Sequence, residues 1–225
     1  MSNTLAILWA AVIVLAAPIA GFLARRPLAV QQKSRSLVYA GSAANLLLIG
    51  TITGVIDVTC GGKAIRGLNW TMSLPRFLAW SLGLTIASIL ISVAVFVLRR
   101  NLNRPLSPIV RSLLPRTKSE RVTFLVLCLL VGVVEEFVFR GFAFSTINRF
   151  AASPLIAASV VTLAFALQHG IQDAIGIVRA FVLGVALLIP VVATGSLLPS
   201  IIAHAFVDAF SGLYGRVALA PPTPA

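Results

Sequence analysis

The chain has 225 residues, 59% of them hydrophobic and only 11% charged, with a net charge of +12 and a mean hydropathy of +1.01. A soluble domain carries roughly twice that charged fraction, so the composition excludes one and indicates a polytopic helical membrane protein with one bundle. The charge does not argue for nucleic acid, because the 18 Lys and Arg cluster in loops beside apolar runs, as topology signals and contacts to membrane lipids do.

Apolar runs bounded by charges or turn residues follow in chain order. The first covers residues 4–23, with Arg25 and Arg26 behind it. It reads as an uncleaved helix rather than a signal segment. The second, 37–56, offers Gly41, Ser42, Ala43 and Ala44 as a small-residue packing face. The third covers 77–98. Residues 99–121 then form a polar connection with an expected interfacial helix around 109–114. The fourth run, 122–147, would be about 40 Å long as a straight helix, so it is expected to tilt or kink. The fifth, 154–169, begins with Pro154 at a first-turn position. The sixth, 174–194, is expected to break near Pro190. The seventh covers 197–213, and the Pro-rich tail is too short to fold. The expected fold is therefore all-α, a transmembrane bundle of about seven spans, six to eight, in a multi-pass bacterial cell membrane protein.

Loop charge orients the bundle. Arg25, Arg26, Lys33 and Arg35 follow the first run, and seven Arg and Lys lie between 99 and 121. These two loops are expected on the cytoplasmic side, with the amino terminus outside. Asp57 reads as a loop charge opposing Lys63, Arg66 and Arg76. Cys60 and Cys128 are too far apart in sequence for a disulfide framework or a zinc ligand pair.

Few ionisable groups fall inside apolar runs, where each is expensive and marks a functional site by default. The stretch VGVVEEFVFRG carries Glu135, Glu136 and Arg140. On a helix Glu136 and Arg140 are i and i+4 and can pair. Glu135 is turned about 100° away. It must find a distant partner, face a wet cavity or hold a proton. The fifth run ends in FALQH with His169, and the seventh contains HAFVD with His204 and Asp208 on one face. A bundle can bring these groups to one polar pocket, where a carboxylate and imidazoles suit activating water and stabilising an oxyanion. Glu135, His169 and His204 are also an acceptable zinc ligand set, although no HExxH is present.

EEFVFR, FALQH and HAFVD, in that order on separate runs, resemble the three motifs of the CAAX-processing and bacteriocin-processing (abortive-infection) family of membrane proteases, including the type II CAAX prenyl endopeptidases. Those motifs are EExxxR, FxxxH and Hxxx followed by Asn or Asp. The resemblance covers about residues 120–215; residues 1–119 carry no such signature, and 216–225 form a tail. It implies an intramembrane endopeptidase with its catalytic core in the last four spans. Glu135 would activate water, His169 would assist, and His204 with Asp208 would stabilise the oxyanion. Glu136, Arg140 and Phe165 would support the site. No cofactor is implied, zinc being the alternative. The implied partner is a membrane-bound or lipidated peptide. Two other classes fit the charges: a non-catalytic immunity, scaffold or secretion-accessory protein on the same fold, and a proton-coupled transporter, for which no inverted repeat is visible.

Overall fold

The computed structural model describes residues 2–24, 34–70 and 72–218. Arg25, Arg26, Lys33 and the carboxy-terminal tail lie outside the described residues. Within them every regular element is helical: α1 (Ser2–Leu23), α2 (Arg35–Thr59), α3 (Lys63–Arg66), α4 (Leu74–Asn101), α5 (Pro108–Leu113), α6 (Lys118–Glu135), α7 (Phe144–Ala151), α8 (Pro154–Gln168), α9 (Asp173–Thr194) and α10 (Leu198–Ala218). A π-helical segment, Glu136–Ala143, joins α6 to α7, and a 3-10 turn, His169–Gln172, joins α8 to α9.

Five stretches among the described residues are long and apolar enough to cross a membrane, the last two being the composite runs Lys118–Ala151 and Pro154–Thr194. The seven apolar runs of the sequence correspond to α1, α2, α4, α6 through α7, α8, α9 and α10. Polarity is distributed as a bilayer requires. Leu15, Leu90, Val126 and Leu155 face outward, while Thr53, Ser88, Ser92, Arg99, Glu136, Arg140 and His204 are buried. The chain reads as an integral membrane protein.

Local chemistry sets the helix starts. Thr117 and Glu120 form a reciprocal capping box at α6. Ser153 accepts from Ile156 N ahead of Pro154, which takes the first-turn position. Ser107 caps α5, the short helix expected near 109–114. Across the bundle, α10 packs most extensively on α4 and α6, and α1 lies along α8.

Three expectations are corrected. Pro190 does not break the sixth run, because α9 continues through it. Proline removes one backbone donor, the one that would serve the Ala186 carbonyl; Ser200 Oγ donates to the next carbonyl, Leu187 O, at 2.7 Å and ties α10 to this stretch. Gly41, Ser42 and Ala44 form no packing face; they are exposed, and a Cβ on Gly41 would meet nothing within 4 Å. Asp57 is not a loop charge. It is buried in the last turn of α2 and accepts from Ala64 N (3.1 Å) and Ile65 N (3.0 Å). Its carboxylate thereby satisfies the free amides opening α3, whose own N-cap, Gly62, has no side chain to do so.

Candidate active site

The π-helical segment holds Glu136 and Arg140, and all eight of its residues are buried. A π turn carries more residues than an α turn and is frequent at functional sites. α6 lies close against α10 at Gly132, where an added Cβ would stand 2.9 Å from Ile201 O and 3.1 Å from Ala205 N. Only a residue without Cβ permits this approach, which sets the two glutamates against His204.

Glu136 is the centre of charge. Its Oε1 lies 3.2 Å from Arg140 Nη1 and 2.7 Å from His204 Nδ1. The expected pairing of Glu136 with Arg140 is present, and His204 is a third member that i, i+4 spacing could not show. Both charged side chains are almost wholly buried, at 0% and 1% exposure. Burying them is tolerable only because they neutralise each other. The guanidinium also lies 3.8 Å from the centroid of the Phe165 ring, a favourable cation–π placement.

Phe165 is the packing hub. Its ring contacts Phe139 edge-on, His204 edge-on at 5.8 Å and His169 at 4.9 Å. The phenylalanine of the FALQH stretch thus sets the planes of both histidines.

Hydrogen bonds fix the proton on each ring. His169 Nδ1 is 2.8 Å from the Phe165 carbonyl. A carbonyl only accepts, so Nδ1 carries the hydrogen and Nε2 is left free to accept when the ring is neutral. His204 Nδ1 likewise donates to Glu136 Oε1, taken as ionised beside Arg140. Its Nε2 then faces Glu135 Oε2 at 3.8 Å and Asp208 Oδ2 at 3.6 Å. Glu135 and Glu136 therefore address opposite nitrogens of one imidazole. Glu135 Oε2 is buried with no hydrogen-bond partner. No hydrogen bond joins His169 to Glu135 among the described residues; His169 reaches the group through Phe165.

Two approaches meet at this cluster. An apolar pocket of about 190 Å³, formed by α1 and α2 with Val134, Glu135, Val138 and Phe139, reaches Glu135 from one side. On the other, a small chamber of about 30 Å³ is lined by Phe165, His169, His204, Asp208 and Arg179. Asp208 and Arg179 also line a wider pocket of about 240 Å³, walled by Leu106, Val110 and Leu113 near α5. Arg179 was missed in the sequence. The signal was there, since it is an ionisable residue inside the run 174–194.

The turn carrying His169 is clamped. Asp173 has φ +71° and ψ −179°, a conformation nearly restricted to glycine. Its carboxylate receives Arg99 Nη1 at 3.0 Å and Nη2 at 2.7 Å and also accepts from Gly176 N. These bonds hold a backbone that would otherwise relax.

All seven residues singled out in the sequence converge: Glu135, Glu136, Arg140, Phe165, His169, His204 and Asp208. Among the described residues, no three His, Cys, Asp or Glu side chains are grouped to hold a metal ion. Both Nδ1 atoms are engaged, one by a carbonyl and one by Glu136.

Comparison with curated proteins and with solved structures gives no match. Comparison with protein-family models matches residues 117–210 to the model described as "Type II CAAX prenyl endopeptidase Rce1-like". That stretch contains every residue of the converging cluster. Residues 117–210 are thus similar to the Rce1-like type II CAAX prenyl endopeptidases, a family of proteases.

Proposed function

We propose that the chain is an intramembrane endopeptidase that hydrolyses a peptide bond of a prenylated, CAAX-type substrate with a water activated by Glu135. The observation that carries this reading is the setting of Glu135. Its buried Oε2 lacks a hydrogen-bond partner, stands 3.8 Å from His204 Nε2 and meets the apolar pocket. The family match supports the substrate class.

The steps balance on this chain's own residues. Glu135 accepts a proton from water as the water oxygen adds to the scissile carbonyl carbon. His169 Nε2 orients the water by accepting its other hydrogen. Negative charge moves to the carbonyl oxygen. His204 donates to it from Nε2 once that nitrogen carries a proton, and Asp208 donates when protonated or otherwise orients His204. Collapse of the adduct breaks the C–N bond, and the proton on Glu135 passes to the leaving amine. Glu136 and Arg140 hold His204 and touch no substrate. The apolar pocket suits the isoprenoid chain, because its lining is almost wholly apolar side chains. No step requires a metal.

The test is cleavage by purified protein in liposomes, wild type beside Glu135→Gln, on prenylated CAAX peptides and unmodified membrane peptides, with and without a chelator. Wild type should cut the prenylated peptides, and Glu135→Gln should lose about a hundredfold or more. The chelator should have no effect. Equal rates for both proteins would sink the glutamate mechanism, and chelator loss reversed by zinc would replace it with metal chemistry.

A further inference from the structure

Arg179 sits on α9, one wall of the chamber it shares with His169, His204 and Asp208. Its Nε donates to Ser92 Oγ at 3.2 Å and its Nη2 to Ser211 Oγ at 2.6 Å. Both serines commit their own hydrogens to helix carbonyls, Ser92 to Ser88 O and Ser211 to Val207 O. They orient the guanidinium and bring it no charge. No Asp or Glu forms an ion pair with Arg179 among the described residues, although Arg35, Arg99 and Arg140 each have one. Nη1 makes no hydrogen bond, and it is not among the side-chain atoms sealed from solvent. The carboxylate facing it is Asp208, which lines the same chamber but forms no ion pair with the guanidinium; a cation so placed in an apolar bundle leaves room for a closer anion.

The offset along α10 between His204 and the serine that holds Arg179 is informative. Ser211 is seven residues after His204 on α10, two turns along the same face, with Asp208 between them. Seven helical residues rise about 10.5 Å. Three extended residues span at most about 10–11 Å. A CAAX substrate carries three residues after its prenylated cysteine, and then a free carboxylate.

We propose that Arg179 receives the carboxy-terminal carboxylate of the substrate and so measures three residues from the scissile bond. This rests on the peptidase reading above. The prenyl chain then occupies the apolar pocket beside Glu135, and the tail crosses the site into the wider pocket that Asp208, Arg179 and Ser211 line. A bidentate guanidinium–carboxylate contact gives register as well as affinity. Arg179 is a specificity-determining residue and takes no part in bond cleavage.

The experiment compares a farnesylated CAAX peptide bearing a free carboxylate with the same peptide ending in an amide, and with one extended by two residues. Wild type should prefer the acid over either alternative by about ten- to a hundredfold in kcat/KM. Arg179→Gln should bring the acid-to-amide ratio close to one, and Arg179→Lys should keep part of it. A purely structural role would slow all three peptides together and leave the ratios intact, which would overturn the proposal. So would a wild-type enzyme indifferent to the amide. A parallel arm measures binding of the fluorescently labelled acid and amide to wild type and Arg179→Gln by anisotropy. If nothing is cleaved, the peptidase reading fails alone. The binding preference, and its loss in the variant, then decides the role of Arg179.

Discussion

Glu135 and Glu136 are adjacent in sequence and opposite in consequence. Glu136 is fully buried between Arg140 and His204, so replacing it by Gln strands a buried guanidinium. Breaking such a pair from one side costs about 3–5 kcal/mol. Glu135 neutralises no buried cation within ion-pair distance other than His204. Glu135→Gln should change stability by less than about 1 kcal/mol. Both variants should lose cleavage, but only Glu136→Gln should show a large fall in Tm in detergent. Equal Tm changes would mean that the two carboxylates are not divided between structure and chemistry. The Glu136–Arg140 half of this arrangement is legible from i, i+4 spacing. The His204 half is not, because those residues are 68 apart in sequence and meet only through the packing of α6 on α10. Arg179 shows the other kind of omission. Its charge in an apolar run was visible, but nothing in its neighbours in sequence resembles a motif.

At the scale of elements, the site depends on how closely α6 and α10 approach. Gly132→Ala would place a Cβ against backbone atoms of Ile201 and Ala205, which cannot rotate away. The helices must part, at a cost of about 1–3 kcal/mol. Gly132 is three residues before Glu135, and Ala205 directly follows His204, so parting them separates the Glu135 carboxylate from the His204 imidazole. Gly132→Ala should therefore lower both Tm and cleavage. Gly41→Ala is the control. Its Cβ meets nothing within 4 Å, and replacing a helical glycine by alanine favours the helix by up to about 1 kcal/mol. Its Tm should hold or rise. A Gly132→Ala protein that behaves like Gly41→Ala would show that the approach is not tight. Gly41, Ser42 and Ala44 are small yet exposed, because a cluster of small side chains says nothing of which face meets a neighbour. The length of the fourth run calls for a tilt or a kink but does not give its form. A π turn adds residues to a turn while leaving the EExxxR spacing unaltered, so composition does not announce it.

At the scale of the molecule, the chemistry and its approach come from different parts of the chain. Hydropathy alone was enough to delimit the helices, since each apolar run became one helix or one helical composite. The three motifs were enough to name the residues that converge, because ionisable residues in a bundle turn inward. What could not be read was the contribution of residues 1–119. They carry no motif, yet Trp9, Val12, Ile13, Ala16, Leu46 and Ile49 line the apolar pocket that ends at Glu135. Such residues are indistinguishable in sequence from those facing lipid. Trp9 is itself pinned by a hydrogen bond from its Nε1 to Thr53 Oγ1 at 2.9 Å, which holds α1 to α2 and keeps the wall in place. If that wall receives the isoprenoid, filling it should act on lipid length rather than on the peptide. Ala16→Trp places a large ring in the pocket without touching the polar cluster. A hydrophobic site discriminates by about 1–3 kcal/mol per methylene-sized misfit. The variant should lose about tenfold or more in kcat/KM on a geranylgeranylated peptide, and less on one bearing a shorter chain. Equal losses across chain lengths, at an unchanged Tm, would place the lipid elsewhere and leave α1 and α2 as a scaffold only.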